Sequence, residues 1–80
     1  MIIKILFFGI TADLVHTTHL TLDIDKDVKV ASFKAVLESK YPQLKNVNSY
    51  AIAVNEAYAS DDLILRENDT VAIIPPVSGG

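Results

Sequence analysis

VASFKAVLESKYP, residues 30–42, is the stretch on which the reading of the fold turns. Val30, Phe33, Leu37 and Tyr41 fall at i, i+3, i+7 and i+11, one stripe of a helix, while Lys34, Glu38 and Lys40 point away from it. The spacing predicts an amphipathic helix that stops at Pro42, whose ring disfavours helical geometry at Tyr41 and removes a backbone donor. The start is less well marked. Lys29 takes the N-cap position, with Asp27 just upstream, and a lysine side chain cannot accept hydrogen bonds from first-turn amides.

Upstream of this helix the apolar period is two rather than helical. Ile3, Ile5 and Phe7 share one parity, and Ile2, Lys4, Leu6 and Phe8 the other, so both faces of the first strand are bulky and it belongs in mid-sheet. Gly9 to His16 reads as a short link with helical character. Leu20, Leu22 and Ile24 then alternate with His19, Thr21 and Asp23, a second strand expected to pair with the first. Downstream, Tyr50, Ile52 and Val54 alternate with Ala51 and Ala53, and Asn55-Glu56 is the turn into a short return strand at Ala57 to Ala59. A loop from Asp61 ends at Asn68, which tolerates a left-handed backbone, before a last strand at Thr70 to Ile74. The order ββαβ(β)β predicts an α+β fold: a mixed sheet of four to five strands with one main helix across one face, and first and last strands paired centrally. That is the β-grasp, or ubiquitin-like, arrangement. Residues 1–80 read as a single domain, with 75–80 as an extended C-terminal tail.

Composition agrees with one small core. The chain has 80 residues, half of them apolar and 21% charged, which is globular rather than disordered. With no cysteine it can form neither a disulfide framework nor a thiolate metal site, and it suits a reducing cytoplasm. Seven Lys and Arg against ten Asp and Glu give a charge of −3, with Arg66 the only arginine and no basic run, so nucleic acid is not an expected partner. Lys4 interrupts the apolar N-terminus and no small-residue cleavage site follows, so that segment reads as a strand rather than a signal peptide. No stretch is long enough to span a membrane. Asn68-Asp69-Thr70 matches a glycosylation sequon, which without a secretory signal is a chance match.

Candidates for intrinsic chemistry fall away one by one. Asp23, Asp25 and Asp27 copy the opening of an EF-hand calcium loop, but the required glycine and bidentate glutamate are replaced by Val28 and Lys34. His16 and His19 lie three apart, pointing opposite ways in an extended chain, with no third ligand in a metal-site spacing. No nucleophile has an identifiable base beside it, and no glycine-rich phosphate loop is present. The remaining feature is Pro75-Pro76-Val77-Ser78-Gly79-Gly80. Two prolines favour an extended course, and Gly-Gly is the thinnest backbone that can enter a narrow cleft and leave a carboxylate open to reaction. By itself the same ending also fits a frayed terminus.

The pieces KILFF (Lys4 to Phe8) with Leu14-Val15, Val30-Ala31 through Leu37, Ala53-Val54-Asn55, Asp69 before Val71-Ala72, and the closing hexapeptide are ordered and spaced as in a known family. Along essentially its whole length the chain resembles the small subunit of molybdopterin synthase, the MoaD-type sulfur carrier. The resemblance implies that an E1-like adenylyltransferase, using ATP and Mg, adenylylates the Gly80 carboxylate. A persulfide donor then supplies the sulfur of a thiocarboxylate. It implies that Pro75, Pro76, Val77, Ser78 and Gly79 thread into the large synthase subunit, in a heterotetramer, where the sulfur builds the molybdopterin dithiolene. This chain would bind no cofactor and would donate sulfur while catalytic side chains sit in the large subunit. Three positions depart from the family: Thr11-Ala12-Asp13 where an arginine and a glutamate are common, Asn68 in place of a glycine, and Ile74 in place of an aromatic.

Rivals share the activation chemistry. A thiamine-pathway carrier has the same ending but joins its first strands by a tight turn, unlike the longer Gly9 to Thr18 link here. A ubiquitin-like modifier would join Gly80 to lysines, and a plain β-grasp interaction module would tolerate any ending. Phe8, Ile74 and Pro75 are expected to form an apolar docking patch, since the first and last strands carry more bulk than one helix can cover; Phe8 fits ordinary core equally well.

Overall fold

β1 (Ile2–Phe7) lies between two other strands, where its double-sided apolar pattern places it. The computed structural model describes residues 1–47 and 49–76, so the expectations for Val77, Ser78, Gly79 and Gly80 lie outside the described residues. Among these residues the chain continues through α1 (Ile10–Val15), β2 (His19–Asp23), α2 (Val30–Lys40) and a 3-10 turn (Pro42–Asn46). It then forms β3 (Ala51–Val54), β4 (Ala57–Tyr58) and β5 (Thr70–Ile74). The sheet order is β2-β1-β5-β3-β4, with β1 and β5 parallel at its centre and the other neighbours antiparallel. The expected mixed sheet with one main helix is therefore present, and the link after β1 is helical.

The stripe of α2 packs as its spacing requires: Val30, Phe33 and Leu37 are fully buried against Ile3, Ile5, Val71 and Ile73, all in one core. Burying a side chain the size of Phe33 stabilises by roughly 1.5–3 kcal/mol. Tyr41 caps the stripe half-buried, its ring edge-on to Phe7 at 6.2 Å. Lys29 is the N-cap and supplies no side-chain bond. The loop before β5 does that work instead: Val30 N–H donates to Leu63 O at 2.9 Å and Ala31 N–H to Asp61 O at 3.1 Å. Two donors that a helix start leaves open are thus met by distant backbone.

Three details differ from the sequence reading. Pro42 ends α2 but also begins the 3-10 turn, whose Leu44 is fully buried; proline suits a first helical position because its missing N–H would be unpaired there. Lys34 and Glu38 do not simply face solvent. The Tyr50 hydroxyl donates to Glu38 Oε2, and Lys34 Nζ lies 5.5 Å from the centre of the Tyr50 ring and 3.9 Å from Asp61. Burial, helped by the bond to Glu38 and its charge, pushes the Tyr50 phenol well above its ordinary pKa. The return strand is one residue shorter than expected, closing at Tyr58.

Asn55 and Glu56, at φ 50° and 73°, form the left-handed turn between β3 and β4. Asn55 Nδ2 donates to Asp69 Oδ1 at 2.9 Å, and Asn55 Oδ1 accepts from Thr70 N–H at 3.0 Å, so this turn is tied to the start of β5. Asn68 takes the left-handed backbone expected of it, at φ 67°. No helix among the described residues is long and apolar enough to cross a membrane.

Candidate functional site

Parity along each strand divides the sheet into two faces. Ile3, Ile5 and Phe7 of β1, with Val71 and Ile73 of β5, turn toward α2 and are buried. By strand alternation Ile2, Lys4, Leu6, Ala72 and Ile74 turn the other way, Phe8 continues that face, and no helix among the described residues covers it. Phe8 is 48% exposed and Ile2 43% exposed, so Phe8 belongs to a surface patch and not to the core. Ile74 and Pro75 are half-buried at the rim of this face, and Pro76 is exposed. An apolar hollow continues it between β1 and β2, lined by Lys4, Leu6, His19 and Thr21 over the backbone of Ile5 and Leu20.

The tail departs from this rim. Ile74 is the last paired residue, opposite Ala51, and Pro75 and Pro76 have no N–H with which to continue the ladder. Beside the exit, β1 hands over to the turn before α1. Phe8 N–H donates to Ile73 O at 3.2 Å, and Gly9 is held at φ 54°. A β-carbon built on Gly9 would meet Pro75 Cγ at 3.0 Å, which means the Pro75 ring rests on the bare Gly9 backbone. Of the triplet Thr11-Ala12-Asp13, Thr11 is fully buried and faces the sheet, whereas Asp13 is exposed.

The other candidates stay apart. His16 ends α1 at φ 61°, and His19 Nδ1 lies 3.2 Å from Thr18 Oγ1. Asp23 Oδ1 accepts from the Met1 ammonium at 3.0 Å. Among the described residues no group of three or more acidic or histidine side chains converges as a metal site would. A cleft lined by Met1, Lys26, Asp27, Leu65, Arg66 and Glu67 carries charges of both signs but offers no nucleophile with a base beside it. What the described residues assemble is an open apolar face with Pro75 and Pro76 at its edge. Sequence reasoning missed the buried Thr11 hydroxyl: Thr11 is one of several polar residues in the Gly9 to Thr18 link, and nothing local marks it as the buried one.

The comparisons with known proteins agree with this geometry. A family model described as the ThiS family matches residues 5–80. A molybdopterin synthase sulfur carrier subunit from Arabidopsis thaliana is 37% identical over 98% of this chain and 82% of its own length. Two solved structures share the fold: a small archaeal modifier protein of Haloferax volcanii, with TM-score 0.88, 21% identity and full coverage of both chains, and a complex of subunits 1 and 2 of the molybdopterin-converting factor from Helicobacter pylori, with TM-score 0.71, 23% identity and full coverage of both. The chain therefore belongs to the ThiS family, a β-grasp member whose relatives include molybdopterin synthase sulfur carrier subunits.

Proposed function

We propose that this chain is the sulfur carrier subunit of a molybdopterin synthase, and that its reagent is the Gly80 carboxylate. The observation that supports this reading is the position of Pro75 and Pro76, which follow the central strand β5 at the rim of an uncovered apolar face. A large subunit seated on that face, against Phe8 and Ile74, would receive the tail directly. The Helicobacter pylori complex supports a partner of that kind.

The chemistry follows from the weakness of a carboxylate as an electrophile. An E1-like enzyme brings ATP and Mg; a Gly80 carboxylate oxygen attacks the α-phosphorus and pyrophosphate leaves. The terminal sulfur of a donor persulfide then displaces AMP, and a thiol cleaves the resulting S–S bond to leave the thiocarboxylate. Pro75 to Gly79 carry this group into the partner's cleft, where it gives up sulfur to the dithiolene. The folded body delivers the group and contributes no catalytic side chain, and the work is placed in the cytoplasm.

A second reading, a ubiquitin-like modifier joined to lysines through Gly80, draws on the likeness to the small archaeal modifier protein. Intact-mass analysis of the protein from its native cell separates the two. Exchange of one oxygen for sulfur is the expected result; conjugates of higher mass would favour the modifier, and an unchanged mass with and without the activating enzyme would overturn both. Deleting Gly80 is expected to abolish sulfur transfer while leaving the thermal unfolding curve in place.

A further inference from the structure

Among the described residues Thr11 is the one polar side chain that is fully buried, and its hydroxyl lies beside the last residues of β5. Thr11 Oγ1 donates to Phe8 O at 2.5 Å, accepts from Phe8 N–H at 3.1 Å, and lies 3.4 Å from Ile73 O, a residue 62 positions away. Phe8 N–H is itself shared between Thr11 Oγ1 and Ile73 O, so the hydroxyl fixes the Phe8 peptide that holds the last carbonyl of β5 facing β1 and touches that carbonyl only as a longer contact. One residue beyond Ile74, the Pro75 ring closes onto Gly9. An apolar side chain could be buried at position 11, but only a hydroxyl also pins both polar groups of the Phe8 peptide, whose N–H holds the strand end.

We infer that Thr11 is a positioning residue for the tail: with Gly9 it forms a collar that fixes the residue at which β5 releases the chain and the direction in which it departs. This rests on the carrier reading. An enzyme that acts on a chain terminus must order whatever lies between the anchored body and the reacting carbon. Each residue freed from the collar adds about 3.4 Å of slack and its own conformational freedom to that requirement. Slack of this kind is removed on binding, before any chemistry, so its loss of fixation appears in KM and not in kcat.

The test uses the whole chain, ATP, and an enzyme that transfers AMP to a C-terminal carboxylate, with pyrophosphate exchange as the readout. Thr11→Val keeps the shape and removes the hydroxyl; it is expected to raise KM for the carrier about tenfold with kcat unchanged, and to speed hydrogen exchange at the Phe8 amide. Thr11→Ser keeps the hydroxyl and loses the methyl; it is expected to restore the wild-type KM although it packs less well. Circular dichroism at the assay temperature guards against a trivial cause, since unfolding would have to claim nine-tenths of the protein to imitate a tenfold change. A Thr11→Val protein with wild-type KM overturns the collar and leaves the carrier reading intact. So does a KM that follows thermal stability across the two variants. Wild-type protein that supports no exchange overturns the carrier reading and the collar with it.

Discussion

One sheet presents two apolar faces that obey different rules. On the covered face every bulky residue of β1 is buried beneath α2, and Ile3 and Ile5 expose nothing. On the open face Phe8 and Ile2 keep nearly half their surface in water although they belong to the same segment of chain. Local propensity is the same for both sets; the difference lies in what lies above them. On the proposed reading, apolar surface left open beside Pro75 and Pro76 is surface held for a partner, whereas covered apolar surface holds the fold together.

The largest expected effect tests the covered face. Phe33→Ala removes a fully buried ring and is expected to cost about 3–5 kcal/mol in urea unfolding; a loss below 1 kcal/mol would mean that α2 does not set stability. Next comes the open face. If the carrier reading holds, Phe8→Asp and Ile74→Asp are expected to weaken binding to the proposed large subunit tenfold or more, about 1.4 kcal/mol, while moving stability by roughly 1 kcal/mol or less. The reverse ranking would erase the distinction between the faces.

A smaller effect tests the polar seam beside the core. Tyr50→Phe is expected to cost about 1 kcal/mol at neutral pH, the net value of one hydrogen bond. Because the folded phenol titrates above its ordinary value, the contribution of Tyr50 is complete below about pH 10 and fades as the pH rises toward the folded value. Wild-type protein should therefore show a component of alkaline destabilisation that the variant lacks; parallel pH curves would sink this account. Smallest of all is Val36→Ala, an exposed apolar side chain on the outside of α2. It should change both stability and partner binding by under about 0.5 kcal/mol, and a binding defect there would widen the docking surface beyond the sheet.

The elements were legible because period and punctuation are local. Val30, Phe33 and Leu37 announce α2, Pro42 its end, Asn55-Glu56 a turn, and the two parities of Ile2 to Phe8 a central strand. What escaped depends on residues brought together from afar. The carbonyls of Asp61 and Leu63 that serve the start of α2, and the Glu38 partner of Tyr50, have no sequence signature because nothing near them in the chain requires them. The 3-10 turn at Pro42 was readable in principle, as a proline followed two residues later by a buried Leu44. The closing hexapeptide was singled out by its residue types alone, while the proposed collar at its base needed the register of β1 against β5.

A strand in the middle of a sheet answers force differently from one at its edge. β5 is gripped along its length by β1 on one side and by β3 on the other, four facing pairs with each. Tension applied at Pro75 runs parallel to these ladders and loads them in shear, all at once, instead of peeling them one after another. A protein that seizes the end of this chain and hauls on it would drag the body along before it could unravel the strand.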